Sequence, residues 1–159
     1  MITIRPYHSR DATALWHLFV NTVHHINAKH YSPAQLAAWA PTITDLTLWQ
    51  HKMDSLSPFI AQIDDVIVGY ADLQQDGLID HFFCHYRYQR QGVGRALMAH
   101  IINVGRKKQI TRYYSAVSIS ARPFYEQMGF TVTHSQLVEV RGEKLQNFIM
   151  ERDDFLLSK

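Results

Sequence analysis

Tyr88-Gln89-Arg90-Gln91-Gly92-Val93-Gly94-Arg95-Ala96-Leu97-Met98 follows directly on a run of strand-forming residues, and its reading decides the fold. Leu78 to Cys84 is apolar and aromatic with short interruptions, the pattern of a buried strand. Val93, Leu97, Ile101 and Val104 then recur at helical spacing. Between strand and helix lie two glycines with arginines on either side. A strand that turns on glycines into a helix exposes several backbone N–H groups in one place. Those donors and the positive end of the helix dipole together attract an anion. Glycine matters because a Cβ would hold the ligand away from the backbone. Arg90 and Arg95 add charge, and the local chemistry is that of a diphosphate cradle.

Two familiar phosphate patterns do not match it. The Walker pattern needs Lys-Ser/Thr after its last glycine, where Arg95-Ala96 stands here. The dinucleotide fingerprint needs a third glycine and a later acidic ribose partner. Taken alone, Gly92-x-Gly94 also suits an ordinary tight strand-to-helix turn.

A second segment adds specificity. Gln89-x-x-Gly92-x-Gly94 resembles the acyl-CoA pyrophosphate loop of the GCN5-related N-acetyltransferase (GNAT) superfamily. Downstream, Ser118-Ile-Ser-Ala121-Arg-Pro-Phe-Tyr125-Glu-Gln-Met-Gly129-Phe130 resembles that family's second signature. There an alanine, an aromatic-Tyr pair and Gly-Phe mark the helix after the fifth strand. The order and separation agree, and the likeness extends from Ile2 to Glu151. His30-Tyr31-Ser32-Pro33-x-Gln35 with Ala38-Trp39-Ala40, and Val138-Glu139-x-Arg141-Gly142 with Asn147-Phe148, are similar to a small bacterial YafP-type subgroup.

The resemblance implies an α/β fold over one domain, residues 1–159. Its mixed, mostly antiparallel central sheet would have six or seven strands flanked by helices, with a splayed V between the fourth and fifth. It implies acetyl-CoA as cosubstrate and acetyl transfer to a primary amine by direct attack in a ternary complex. The acceptor, a small molecule or a protein amine, is left open, and a homodimer is compatible. The rival reading is a non-catalytic acyl-CoA-binding or sensor module.

Composition agrees with an ordinary globular domain. The 159 residues are enough to bury a substantial core, and no long charged or low-complexity run points to disorder. A formal charge of +2 is too small to suggest nucleic acid. Ten histidines make the net charge rise steeply below neutral pH. There is no signal-like start and no bilayer-length apolar run, so a membrane partner is not expected. One cysteine excludes an internal disulfide. The cytoplasm is the expected compartment.

Along the chain, Thr3 to Tyr7 reads as a first strand, and Ser9 as N-cap of a helix with Asp11 in its first turn. Leu15, Leu18, Phe19 and Thr22 form that helix's buried stripe. Ser32-Pro33 opens a second helix through Trp39, which Pro41 stops. Thr44 to Met53 reads as a third helical segment. Phe59 to Ile63, Asp64-Asp65 and Val66 to Leu73 read as a hairpin, and Asp76-Gly77 turns into the next strand. After the long helix come a strand at Arg112 to Val117 and a helix through Met128, which Gly129 caps. Thr131 to Val140 and Leu145 to Met150 close in a hairpin turning at Arg141-Gly142.

Acetyl transfer makes three demands: a neutral amine, a donor for the developing oxyanion, and a proton for the leaving thiolate. By resemblance Tyr125 is the tyrosine that reaches the CoA sulfur, and its phenol suits the acid role. Asp80, on the strand leading into the glycine loop, is the candidate base or orienting group, since relatives place an acidic residue there. His81 projects to the other face of a regular strand, although the family's bulge disturbs that parity. It remains a lesser candidate for the acceptor site. The resemblance has the backbone of Phe82, Phe83 and Cys84 pair with pantetheine amides by strand addition. The loop Gln89, Arg90, Gln91, Gly92, Val93, Gly94, Arg95 and Ala96 would hold the diphosphate.

Ser118 stands where many relatives have an Asn that bonds the CoA arm, and serine reaches less far. Ser120 is expected to cap the following helix. Cys84 has no assignable partners for nucleophilic catalysis. His24, His25 and His30 do not make a metal site, because adjacent helical residues diverge and no acidic or Cys partner is suitably spaced. By resemblance His24 and His25 would wall the acceptor pocket with Tyr31 and Trp39. A partly exposed helix face is the alternative.

Overall fold

The computed structural model describes residues 1–42 and 44–154. Over these the chain runs β1 (Ile2–Pro6), α1 (Ala12–Ile26), α2 (Pro33–Trp39), α3 (Leu46–Leu56), β2 (Phe59–Ile63) and β3 (Val66–Ala71). It continues through β4 (Phe82–Cys84), α4 (Val93–Lys107), β5 (Arg112–Ser118), α5 (Arg122–Gln127), β6 (Thr131–Val140) and β7 (Glu143–Asp153). The strands form two sheets, ordered β1-β2-β3-β4 and β5-β7-β6, with antiparallel ladders throughout. This is the expected α/β GNAT arrangement, with its central layer parted into two sheets.

The sheets meet at one point. Leu78 bridges Tyr114 in parallel. The Ile79 N–H donates to the Tyr114 carbonyl at 2.9 Å, and the Tyr114 N–H to the Gly77 carbonyl at 3.1 Å. Beyond that point the segments part, because Phe82–Cys84 ladder onto β3 and Ala116–Ser118 onto β7. The result is the expected splay between β4 and β5.

The strand expected over Leu78 to Cys84 is therefore interrupted. The N–H groups of Asp80 and His81 leave the ladder and donate to Asp72 Oδ1, at 3.0 and 2.6 Å. A side-chain acceptor substitutes for a strand there, which satisfies buried donors at a bulge.

Local signals account for most helix ends. Ser32 and Gln35 form a reciprocal capping box with Pro33 in the first turn, so α2 starts and ends as expected. The α5 C-terminus is a Schellman turn. Gly129 sits at φ +88°, its N–H bonds the Glu126 carbonyl, and the Phe130 N–H bonds the Tyr125 carbonyl.

Two helix starts also need correction. Ser9 does not cap α1: it lies in a short 3₁₀ turn and its hydroxyl donates to Asp54. The helix expected at Thr44 to Met53 is α3, which begins after Asp45 because that carboxylate accepts the Thr47 N–H. It then runs on to Leu56.

Helices cover both faces of the first sheet. Val93, Leu97, Met98 and Ile101 of α4 pack with Ala61, Val68 and Ala71. Leu15, Phe19 and Val23 of α1 and Trp49 and Met53 of α3 pack with Ile60 and Tyr70. Each fully buried aliphatic of this kind contributes about 1.5–3 kcal/mol.

The long helix α4 also lies close to β5. A Cβ on Gly105 would stand 2.0 Å from the hydroxyl oxygen of fully buried Tyr113. Gly105→Ala should therefore destabilise the fold by about 1–3 kcal/mol, although alanine is the better helix former. Urea unfolding is the check. Adding Tyr113→Phe should recover part of the loss, because it removes the nearest clashing atom.

Candidate active site

Where β4 and β5 part, a cleft of about 750 Å³ opens. Phe82, Phe83 and Cys84 line one wall, and Ser115, Ala116, Val117 and Ser118 the other. The glycine loop closes one end. Gly92 is the N-cap of α4 at φ +87°, a conformation that strongly favours glycine, and the added Cβ would meet only Ile2 Cδ1 at 3.8 Å. Gly94 is small for a different reason, since a Cβ there would press on the Phe124 ring at 3.0 Å. Gln89, Arg90, Val93 and Arg95 line the same end, whereas Gln91 and Ala96 do not line the cleft. The Gln89 side-chain amide donates to the Cys84 carbonyl at 2.9 Å, tying the loop to the end of β4.

A second cavity, about 450 Å³, lies on the other side of β4. Trp16 and Phe19 of α1, Trp39 of α2, Trp49 of α3 and Leu145 of β7 contribute to its wall. Trp39, Asp80, Phe83, Ala116 and Ser118 line both cavities, so these residues form the throat between them. Asp80 is solvent-exposed at this junction, and the Asp72 bulge presents it there.

The remaining expected residues divide. Tyr31 and Trp39 line the second cavity. Tyr31 is also structural, because its hydroxyl donates to the Gln146 carbonyl at 2.6 Å and accepts the Ile119 N–H at 3.0 Å. His81 lines the same cavity, buried against Phe19, Trp49 and Phe83 and hydrogen-bonded to the Tyr70 hydroxyl at 3.0 Å.

His24 and His25 line neither cavity, against expectation. His24 Nε2 bonds the Ala40 carbonyl at 2.8 Å, and His25 stacks on Tyr86 with ring centres 3.9 Å apart. Successive helical residues point about 100° apart, and neither direction faces the throat. Among the described residues no group of His, Cys, Asp and Glu is arranged to hold a metal ion. The cap-like bond expected of Ser120 is made by Ser118 instead, and both serines line the larger cleft. Ser118 Oγ accepts the Ala121 N–H ahead of α5 and an Asn27 amide N–H, while Ser120 Oγ bonds His30.

Burial governs the site's proton equilibria. Tyr125 is buried beside Phe82 and Phe130, its hydroxyl 3.5 Å from Ser115 Oγ, and burial holds its pKa well above the usual phenol range. The phenol therefore stays protonated across the working pH range. Burial pushes the Cys84 thiol up to about 12, which leaves no thiolate for nucleophilic attack. Burial lowers His81 to about 4, so its imidazole is neutral at pH 7. Asp72, fully buried, is raised to about 6, mainly by burial against the pull of its N–H donors. Sequence reasoning missed Asp72. Its one signal was a carboxylate closing the apolar run Val66-Ile-Val-Gly-Tyr-Ala71, which a buried strand tolerates only with partners.

Comparison with known proteins matches this geometry. The acetyltransferase (GNAT) domain family matches residues 27–152. The chain is 34% identical over 149 residues to the uncharacterized N-acetyltransferase YafP of Escherichia coli (strain K12), covering 94% of each chain. A GCN5-related N-acetyltransferase from Rhodopseudomonas palustris superposes with a TM-score of 0.91 at 26% identity, over 95% of this chain and 94% of that one. The PaiA N-acetyltransferase of Thermoplasma acidophilum, solved in complex with coenzyme A, superposes with a TM-score of 0.73 at 19% identity, over 96% and 99%. With its parted sheets, its glycine-capped α4 and these matches, the chain belongs to the GNAT acetyltransferase family.

Proposed function

We propose that residues 1–159 act as one acetyl-CoA-dependent N-acetyltransferase domain, which passes an acetyl group to a primary amine by direct attack in a ternary complex. The observation that carries this reading is the meeting of two cavities at Asp80, with Tyr125 in the wall of the larger one. A two-substrate transfer without a covalent enzyme intermediate needs this arrangement. That PaiA was solved in complex with coenzyme A supports a coenzyme A ligand, and the glycine loop at the end of the larger cleft favours that cleft as its side.

Each group then has a task. The first-turn N–H groups of α4, with Arg90 and Arg95, hold the diphosphate. The free edge of β4 pairs with the pantetheine amides. The acceptor amine enters through the aromatic cavity, and Asp80 takes its proton as it attacks the thioester carbonyl. Tyr125 gives its phenolic proton to the departing thiolate. Cys84, held as a thiol, only packs. His81, neutral and bonded to Tyr70, shapes the acceptor side.

Three measurements test these roles. Gly92→Val puts a β-branched residue at φ +87° on an exposed turn. It should weaken acetyl-CoA binding by about tenfold or more in calorimetry on protein shown by circular dichroism to be folded, with some loss of thermal midpoint from the strained backbone. Unchanged affinity would remove the diphosphate assignment.

Tyr125→Phe keeps the ring and loses the proton. The kcat should fall by about 10²–10⁴ with acetyl-CoA affinity nearly unchanged. An unaltered kcat, with chemistry shown to limit the rate, would take Tyr125 out of the mechanism.

Asp80→Asn should depress turnover most at neutral pH and below, where the acceptor amine is protonated and a base is needed. Activity should recover as pH rises and the amine loses its proton to solvent. A loss uniform across pH would show that Asp80 orients the amine or supports the bulge. Tight acetyl-CoA binding without turnover on any amine would favour a binding or sensor module instead.

A further inference from the structure

The aromatic cavity has a charge pattern that narrows the acceptor. Among its described lining residues the only carboxylate is Asp80, at the throat, and the cations are Lys52 and Arg141. Both cations are exposed. Arg141 is held in place, because its Nη1 donates to the Ala38 carbonyl at 2.7 Å and leaves other guanidinium N–H groups for a ligand. A further polar group is Asn147 on β7, paired in register with throat residue Ser118. Asn147 lines the cavity, and its Oδ1 is buried without a hydrogen-bond partner. An unpaired buried acceptor is costly, and a ligand N–H would satisfy it. Thr44, His81, Ser118 and Gln146 add uncharged polar atoms, and the rest of the wall is largely aromatic and aliphatic, with Trp16, Phe19, Trp39, Trp49, Leu48 and Val138.

This pattern opposes polycations. A polyamine or an oligobasic peptide needs several carboxylates, and here a second ammonium would meet Lys52 or Arg141. The volume, about 450 Å³, and the concave apolar wall are those of a small-molecule site. We infer that the acceptor is a small zwitterion, one primary amine and one anionic group on an apolar, ring-sized body. Its amine lies between Asp80 and Asn147 Oδ1, its body on the aromatic wall, and its anion toward Lys52 and Arg141. The inference rests on the N-acetyltransferase reading for its chemistry, and its test includes binding without turnover.

The probes are L-phenylalanine, L-tryptophan and 6-aminohexanoate as zwitterions, 2-phenylethylamine as the amine lacking an anion, and spermidine as the polycation. Each is titrated calorimetrically into the protein saturated with coenzyme A, and each is assayed for CoA release from acetyl-CoA. At least one ring-bearing zwitterion should bind about tenfold more tightly than 2-phenylethylamine and spermidine, the scale of one charge-assisted contact. Lys52→Glu should reduce that preference by a similar factor, and Asn147→Leu should weaken every amine that binds. Preferential binding of spermidine, or no zwitterion binding above 2-phenylethylamine, would overturn the inference. So would a preference untouched by Lys52→Glu in a folded variant. Zwitterion binding without CoA release would retain the cavity assignment and count against the enzymatic reading alone.

Discussion

The site depends on one buried carboxylate. Asp72 accepts the N–H groups of Asp80 and His81 on a single oxygen and the Gln74 amide on the other. Without that acceptor, the buried His81 N–H and the part-buried Asp80 N–H at the point where β4 leaves β5 would lose their partner, at roughly 1–3 kcal/mol for the buried one. Satisfying them from a side chain frees the second sheet from pairing there. The parting that makes the larger cleft and the turn that exposes Asp80 thus share one cause. Elsewhere the two sheets are tied by ordinary means: the Leu78–Tyr114 bridge and the Ser115 hydroxyl donating to the Ile79 carbonyl at 2.7 Å.

The same geometry separates the titrating groups by environment. Tyr125 sits in the apolar angle between Phe82, Phe124 and Phe130, where burial favours its neutral form. Asp80 stands in solvent at the throat between the two cavities. The larger cleft thus carries a buried phenol in its wall and an exposed carboxylate at its throat, the two groups to which the proposed reaction assigns its proton transfers. Neutral Cys84 and neutral His81 add no competing charge between them.

What the sequence disclosed follows the range of the interactions involved. The glycine loop, the Ser32 capping box and the Gly129 turn are built from residues a few positions apart, so their signals are readable in one dimension. The aromatic cavity as a whole is not, because it gathers Phe19, Trp39, Trp49, Asp80 and Asn147 from five separate segments. His24 and His25 mislead for the converse reason. They are adjacent in sequence, yet the helix sends one to the Ala40 carbonyl and the other to Tyr86. Ser118 and Ser120 differ by two positions in a turn, and only the turn's path decides which hydroxyl meets the Ala121 N–H. Asp72 was invisible because two of its three partners are backbone N–H groups eight and nine residues on, at a bulge that only the folded chain shows.

Asp72 also sets a cost on this arrangement. Burial raises its pKa from 3.8 to about 6, so the folded chain binds its proton more tightly than the unfolded chain does. The stabilisation from that proton is complete below about pH 4 and lost as pH rises through 6. The ionised carboxylate then burdens the fold by about 3 kcal/mol relative to the protonated form. An uncharged amide would avoid this penalty but offers one acceptor oxygen where the carboxylate offers two. Asp72 uses both, one on the backbone of Asp80 and His81 and one on Gln74. The charge that weakens the fold at neutral pH thus accompanies the acceptor capacity that opens the site. It also lies close enough to Tyr125 to favour the protonated phenol.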